Sequence, residues 1–260
     1  EARLAARLNH PNVVHTYEVG QDGNHHYIAM DYLEGQALQG ILRKVGRKGL
    51  PLELHVRVLA DMLSGLDYAH TLTDFDGTPL HVVHRDVSPH NVFVTYDGQV
   101  KLVDFGIAKA RGRAERTREG ELRGKIRYLA PEQVAGGPQD RRVDLFALGV
   151  VLWEMLTQRR LYASLSQEEL LEAIRDPRAE RPSQYQTDIP PGLEGFVLNC
   201  IAAKPEERPQ TAEVMWHELD DFLRGAPEGF DGAKSLAALM QDVLGEALLA
   251  SGVTEVSVHR

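Results

Sequence analysis

The stretch 142–156 constrains the fold most, because it is apolar on nearly every side. A helix without a polar face is stable only in the middle of a domain, where other elements cover it. Its longest uninterrupted apolar run, 145–153, has nine residues, whereas a membrane span needs roughly 18. The sequence therefore predicts a globular domain built around one buried helix.

Composition narrows the class of protein. The chain has 260 residues, of which 43% are hydrophobic and 26% charged, as in ordinary water-soluble proteins. The formal charge of -9 argues against a general nucleic-acid binder, because such proteins meet phosphates with excess positive charge. A single cysteine, Cys200, excludes a disulfide framework and a cysteine-built metal cluster. We expect a cytoplasmic protein with no nucleic-acid partner and no membrane span.

Hydrophobic spacing divides the chain into a strand-rich start, a helical middle and a tail. Residues 13–19 and 26–32 are typical of a hairpin. After Gly35 the pattern changes to helices, one of which begins at Pro51. Further strands are predicted at 92–95 and 100–103, and further helices at 1–8, 142–156, 166–174, 193–203, 211–223 and 234–249. Residues 109–127 hold few large apolar groups, which predicts an exposed loop.

Three short motifs stand out by their spacing. The first is His-Arg-Asp-Val-Ser-Pro-His-Asn at 84–91, the second is Asp-Phe-Gly at 104–106, and the third is Ala-Pro-Glu at 130–132. An aspartate in a loop, five residues before an asparagine, can orient a hydroxyl nucleophile while the asparagine amide oxygen holds a metal. The aspartate that follows the second hairpin can hold that metal too. Two such oxygens together with phosphate oxygens are a usual set of ligands for Mg²⁺.

In this order and spacing, the motifs resemble the eukaryotic-type protein kinases, most of all the bacterial serine/threonine kinases. The resemblance covers residues 1–224 and includes the His-Pro-Asn turn at 10–12. It implies an α+β, bilobal fold: a partial β-rich small lobe and hinge at 1–33, a mainly helical large lobe at 34–224, and a linker with an amphipathic helix at 225–260. It also implies ATP and Mg²⁺ as cofactors and proteins phosphorylated on serine or threonine as partners.

The resemblance assigns roles to the residues of the motifs. Asp86 would be the catalytic base that accepts the proton of the substrate hydroxyl, and Asn91 and Asp104 would hold Mg²⁺. Phe105 would pack under the regulatory helix. Arg85 would wait for a phosphate on the activation loop.

The same resemblance places an adenine pocket and a regulatory contact. Met30 would be the gatekeeper at the back of the pocket, the backbone of Asp31 and Leu33 would hydrogen-bond adenine, and Phe93 would form the floor. Glu1 would be the glutamate of the regulatory helix, because it precedes the His-Pro-Asn turn at the family's usual interval.

Other polar residues receive structural roles. His84 is expected to pack rather than to transfer protons. Glu132 and Arg208 are expected to form an ion pair. Asp144 is expected to be a buried hydrogen-bonding residue that fixes the loop at 84–91.

The first departure from the family concerns two motifs that usually come before the regulatory helix. Kinases cover the phosphates with a glycine-rich loop and pair a strand lysine with the regulatory glutamate. No G-x-G-x-x-G occurs here and no lysine precedes Glu1, which is also not a methionine. We expect either that a longer chain was cut or that the gene start is placed late. We also expect the chain as given to be catalytically poor or inactive.

Two further departures concern Ser88 and Lys125. The family usually has lysine where Ser88 stands and threonine where Lys125 stands. The chemical set around Asp86 is thus preserved with its two members exchanged. This exchange would place a positive charge near the transferring phosphate, where the transition state needs it. The alternative is that Ser88 is only tolerated and that Lys125 points to solvent.

The segment between Asp104 and Glu132 also suggests a switch. Its only serine or threonine is Thr117, and residues 109–127 carry eight Lys or Arg against three Glu. A phosphate on Thr117 would pair with Arg85 and its neighbours and order the loop. The alternative is a solvated, mobile loop.

Three functions remain open at this stage. The first is an ATP- and Mg²⁺-dependent serine/threonine protein kinase. The second is a pseudokinase or scaffold that binds partners without phosphoryl transfer, although it would need none of the intact motifs. The third is a small-molecule phosphotransferase, a class that lacks the Ala-Pro-Glu triplet.

The tail has two interpretations of its own. Residues 234–249 carry apolar residues at helical spacing after a break rich in glycine and proline. The helix could pack back on the domain, or it could bind a partner or a second copy.

Overall fold

The structure is a computed structural model that describes residues 7–23, 25–46, 49–105, 124–225 and 230–251, with the backbone alone at 25–26 and 244–251. It is an α+β protein, as predicted. The strands are β1 (Thr16–Asp22), β2 (His25–Met30), β3 (Gly35–Ala37), β4 (Val92–Thr95) and β5 (Val100–Leu102). The helices are α1 (Leu38–Val45), α2 (Leu52–His70), α3 (Pro131–Val134), α4 (Arg142–Thr157), α5 (Gln167–Arg175), α6 (Pro191–Cys200), α7 (Ala212–Arg224) and α8 (Gly232–Ser251).

The first hairpin forms as predicted, with its strands shifted by a few residues. Strands β1 and β2 are antiparallel, and the register is irregular between Thr16 and Glu18. The chain before β1 lies against β5, where the Val14 N–H donates to the Leu102 carbonyl at 2.9 Å and the Leu102 N–H donates to the Asn12 carbonyl at 2.8 Å. The hairpin is therefore tied by backbone hydrogen bonds to the strand that ends just before Asp104.

A three-stranded antiparallel sheet in the order β3-β4-β5 supports the second hairpin. Sequence analysis missed β3, because three residues are too few to show alternation. Its first residue must be glycine: a Cβ at Gly35 would lie 2.1 Å from the Val94 carbonyl oxygen. This close approach brings the chain from β2 alongside β4.

Helix α4 forms the centre of the core, as its all-apolar surface predicts. Every side chain from Val143 to Thr157 is buried. Helix α6 lies so close that a Cβ at Gly149 would be 2.6 Å from the Cβ of Cys200. Cys200 is fully buried, and burial raises the pKa of its thiol.

The C-terminal helix α8 packs back on the same core, so the first of its two predicted arrangements is the one observed. Leu236, Met240 and Val243 are buried in the main hydrophobic cluster. Lys44 donates to the Val243 carbonyl at 3.0 Å, and the Gln241 amide donates to the Tyr96 carbonyl at 3.2 Å. These three apolar side chains are not exposed for a partner in this arrangement.

Several predictions lie outside the described residues. They are the helix at 1–6 with Glu1, and the greater part of the loop at 109–127 with Thr117. Among the helices that are described, none is both long and apolar enough to cross a membrane.

Candidate active site

The loop at 84–91 is anchored on the central helix by one carboxylate. Asp144, in the first turn of α4, is 1% exposed and accepts hydrogen bonds from the backbone N–H groups of His84 at 2.8 Å and Arg85 at 2.7 Å. The ring of His70 donates to the same carboxylate from Nε2 at 2.8 Å. Arg85 has a φ of 63°, a left-handed conformation that a non-glycine residue adopts only where its surroundings enforce it. The predicted role of Asp144 is confirmed.

His84 links this loop to the strand that precedes Asp104. Its Nε2 donates to the Val103 carbonyl at 3.1 Å, and its Nδ1 accepts from the Asp86 N–H at 3.3 Å. Full burial lowers the pKa of His84, so that the ring is neutral and can serve as donor and acceptor at once. Its ring centroid lies 4.4 Å from that of Phe105. His84 is therefore a packing residue, as predicted.

The carboxylate of Asp86 is held by side chains from two segments of the chain. It is 9% exposed, and its Oδ2 accepts from Asn91 Nδ2 at 2.9 Å and from Lys125 Nζ at 2.8 Å. Asn91 Nδ2 also donates to the Asp86 carbonyl at 2.8 Å. The spacing of five residues thus closes a tight turn in which the asparagine side chain fixes the aspartate.

Asp104 reaches the same place from the end of β5. The Val103 N–H donates to the Asn91 carbonyl at 3.0 Å, so the two chain segments are hydrogen-bonded one residue before Asp104. Asp104 is exposed and has a φ of 56°. A solvent-facing carboxylate beside an asparagine is a donor set that suits Mg²⁺, which is completed by phosphate oxygens and water.

The predicted adenine-binding residues lie around the connection from β2 to β3. Met30 ends β2 and is 37% exposed, while Leu33 is half-buried. The Asp31 N–H donates to the His15 carbonyl at 3.0 Å, so only its carbonyl is left to meet a base. Phe93, half-buried on β4, pairs in register with Ala37 of β3.

The segment 124–132 is held to the core by buried polar residues that sequence analysis did not single out. Tyr128 donates to Glu154 of α4 at 2.8 Å, and Arg160 donates to the same carboxylate at 2.7 Å. Burial raises the pKa of both Tyr128 and Glu154. Glu154 is an isolated acidic residue that follows the long apolar run of α4, which is the signal that could have revealed this anchor.

The predicted ion pair at the end of that segment is present. Arg208 donates to the two carboxylate oxygens of Glu132 at 2.7 and 2.9 Å, and its side chain is fully buried. Its remaining N–H groups donate to backbone carbonyls, including those of Ala202 and Ala203 at 2.8 Å. The pair is structural, because every described contact is internal.

The exchange of Ser88 and Lys125 is only half realised in the structure. Lys125 contacts Asp86, whereas Ser88 Oγ is buried and has no hydrogen-bond partner. The expected hydroxyl bond to Asp86 is therefore not formed. Arg85 Nε is likewise buried without a hydrogen-bond partner.

Phe105 and the remaining regulatory residues are only partly accounted for. Phe105 is half-buried and packs against the small cluster that contains Leu8 and Val13. The helix under which it was expected to lie, with Glu1, falls outside the described residues, as does Thr117.

Comparisons with known proteins agree with this arrangement. A tyrosine-protein kinase of Myxococcus xanthus, MasK, is 45% identical over 95% of this chain, which covers 38% of that protein. A probable serine/threonine-protein kinase of Clostridium acetobutylicum is 37% identical over 85% of this chain, which covers 32% of that protein. The chain thus spans about a third of the length of these relatives.

Solved structures show the same fold. The kinase domain of Mycobacterium tuberculosis PknI has a TM-score of 0.65 and 25% identity, over 85% of this chain and 75% of that one. The family model described as protein kinase domain matches residues 1–219. The chain therefore belongs to the protein kinase domain family.

Proposed function

We propose that the protein transfers the γ-phosphate of ATP to a serine or threonine hydroxyl of a protein substrate. The observation that carries the proposal is the set of contacts at Asp86, a nearly buried carboxylate held by Asn91 and Lys125. A carboxylate fixed in this way has a defined direction for accepting a proton. Positioning of this kind is the main contribution a protein makes to phosphoryl transfer.

Each residue has a task in this proposal. Asp86 aligns the acceptor hydroxyl and takes its proton. The amide nitrogen of Asn91 donates to Asp86, which leaves its amide oxygen for Mg²⁺, and Asp104 contributes a carboxylate oxygen. Bound Mg²⁺ neutralises the charge on the phosphates.

The nucleotide would lie at the connection from β2 to β3. The Asp31 carbonyl and the backbone of Leu33 would meet the adenine edge, Met30 would stand at the back and Phe93 below. This part of the proposal is supported by the orientation of Asp31, whose N–H is already used by His15. Because it depends on ATP, we place the domain on the cytoplasmic side, with signalling as its broader role.

Tyrosine is the second candidate acceptor. It is favoured by the similarity to MasK of Myxococcus xanthus, a tyrosine-protein kinase, whereas the sequence around Pro89 and the Ala-Pro-Glu triplet favours serine or threonine. Acid hydrolysis of the phosphorylated protein and separation of the phosphoamino acids distinguishes the two.

The test is transfer of radiolabelled γ-phosphate by the complete natural protein that contains this chain. Asp86→Asn and Asp104→Ala should each lower autophosphorylation by about 10³-fold or more, as expected for removal of a central group in catalysis. Asp76→Asn changes an exposed carboxylate outside the site and should leave the rate unchanged.

Two results would contradict the proposal. If the wild-type protein binds ATP but transfers no phosphate, the pseudokinase alternative holds. If Asp86→Asn and Asp104→Ala keep the wild-type rate, phosphoryl transfer does not use this site.

A further inference from the structure

Lys125 contacts Asp86, as the first of the two sequence interpretations expects. It lies in a helical turn at 124–126, and its carbonyl accepts from the Tyr128 N–H at 3.1 Å. The preceding Gly124 lies above the 84–91 loop, where a Cβ would be 3.7 Å from His90 Cε1. The lysine is thus delivered to Asp86 by a separate segment of the chain.

The ion pair between Lys125 and Asp86 leaves hydrogen-bond donors of the lysine available for a ligand. Lys125 Nζ is 2.8 Å from Asp86 Oδ2, and the two side chains are 25% and 9% exposed. An ammonium group has three N–H donors, so one bond to Asp86 leaves donors that can reach a ligand from the solvent side. Both side chains are largely withdrawn from water, and the cost of desolvating such a pair offsets much of its attraction. A purely structural role is therefore a weak explanation.

The loop itself supplies no alternative cation. Residues 87–90 include neither lysine nor arginine, and Ser88 in their middle is neutral, buried and without a hydrogen-bond partner. Arg85 precedes Asp86, but its backbone is bound to Asp144 and its Nε is enclosed. Lys125, by contrast, places its ammonium group directly against Asp86.

We infer that Lys125 is a catalytic residue that binds the transferring phosphate while it holds Asp86, an inference that rests on the proposed kinase function. The acceptor oxygen forms a bond to the γ-phosphorus and passes its proton to Asp86. The bond from that phosphorus to the β–γ bridging oxygen breaks, and ADP leaves with the electron pair. Lys125 stays protonated throughout and stabilises charge on the phosphate oxygens.

The location of Lys125 in the segment 124–132 has a consequence for the regulation of activity. Because Lys125 belongs to the segment 124–132, the site is complete only when that segment is docked on the core. The contacts of Tyr128 with Glu154 and Arg160 hold it there. Positioning of the segment and phosphoryl transfer are thereby coupled through one side chain.

The test compares variants of the complete natural protein by autophosphorylation with radiolabelled ATP. Lys125→Met keeps the length of the side chain without its charge and should lower kcat by about 10²-fold, the effect of losing one preorganised donor. The KM for ATP and the melting temperature should stay near the wild-type values. Lys125→Arg, which keeps the charge, should retain a large part of kcat.

A second pair of measurements separates charge from position. Lys125→Thr should lower kcat as Lys125→Met does, and Ser88→Lys combined with Lys125→Thr should restore much of it. Because Ser88 is buried, that double variant needs a folding check. If it is unfolded, Lys125→Ala assayed with added ethylammonium decides the matter, since the added amine replaces the missing charge and kcat should rise with its concentration.

The outcomes distinguish this inference from the kinase proposal. If Asp86→Asn abolishes transfer and Lys125→Met retains more than half of kcat, the inference is wrong while the kinase function stands. If a folded double variant is no better than Lys125→Thr, or if ethylammonium restores nothing, the charge of Lys125 is not what matters. If Asp86→Asn has no effect either, the kinase proposal itself has failed.

Discussion

At the scale of single residues, burial decides which polar groups take part in the chemistry. His84 and Asp144 are both almost inaccessible, and each is surrounded by hydrogen-bond partners that hold the 84–91 loop. Asp86 differs because it keeps a small exposed fraction and a charged neighbour. A carboxylate with that combination can meet a substrate, whereas a fully enclosed one can only support the fold.

Much of the site could be predicted residue by residue, and the exceptions have a physical reason. The spacing of Asp86, Asn91 and Asp104 reflects local turns, so it is visible in the sequence. The bond from Tyr128 to Glu154 joins segments 26 residues apart and was not predicted. The bond from Lys125 to Asp86, across 39 residues, was predicted as one of two alternatives, and only the structure decides between them. Ser88 was predicted to take part in the site, but its hydroxyl makes no hydrogen bond in the structure.

His55 gives a prediction at this scale. It is 4% exposed, neither ring nitrogen has a hydrogen-bond partner, and burial lowers its pKa to about 4. The unfolded chain has a histidine pKa near 6.5, so it binds a proton that the folded protein rejects as the pH falls from about 6.5 to about 4. The free energy of unfolding should decline through this window, by about 2 kcal/mol at pH 5. Above about pH 7, titration of His55 should make no further contribution to the pH dependence of stability.

Urea unfolding of His55→Leu and wild type at pH 7.5 and pH 5 measures the effect. The variant should lose less free energy of unfolding on acidification than the wild type does. His217→Leu removes an exposed histidine from α7 and serves as the control. Equal acid sensitivity in all three proteins would show that His55 does not titrate in this window.

At the scale of elements, the all-apolar pattern of α4 was enough to place it in the core but not to identify its neighbours. Period and composition show that a helix is buried. They do not show that α6 crosses it at Gly149, because a contact between helices depends on the shape of both surfaces. Strand β3 is too short to show alternation in the sequence, and its pairing with β4 depends on the close approach at Gly35.

The crossing of α4 and α6 leads to a second prediction. An alanine at Gly149 would place its Cβ 2.6 Å from Cys200 Cβ, closer than packed atoms allow. Gly149→Ala should therefore destabilise the protein by about 1–3 kcal/mol through overpacking, although alanine favours a helix over glycine by roughly 1 kcal/mol. Gly195→Ala in α6, where the added Cβ meets nothing within 4 Å, should be neutral or stabilising.

A double-mutant cycle identifies the partner of the clash. Combined with Gly149→Ala, Cys200→Gly removes the opposing Cβ and should reduce the cost of the alanine. Cys200→Ala keeps that Cβ and should not reduce it. Additive free energies of unfolding in both combinations would place the strain elsewhere.

At the scale of the whole molecule, the order of the elements was largely predictable and their assembly was not. The two hairpins, the central helix and the capping box of Ser166 with Glu169 correspond to local patterns, and each forms. The tail allowed two arrangements from the same helical spacing. Only the described contacts of α8 with α1, α2 and the turn after β4 distinguish them.

The packing of α8 against the core leads to a third prediction. The burial of Leu236, Met240 and Val243 should contribute up to about 2 kcal/mol for each side chain. Deleting residues 232–260 should lower the melting temperature without changing the molecular mass measured by light scattering beyond the loss of the segment. A fall in mass to one half, with an unchanged melting temperature, would instead show that the helix joins two copies.

A substitution at Gly98 tests whether α8 stabilises the domain by packing against the turn after β4. This residue has a φ of 85°, and an added Cβ would lie 2.5 Å from the Ala233 carbonyl oxygen of α8. Gly98→Ala should destabilise the intact chain for two reasons, because the backbone is strained and because α8 is pushed away. In the deleted chain only the strain remains, so the same substitution should cost less free energy of unfolding there. Equal costs in the two backgrounds would mean that α8 does not rest on the turn after β4.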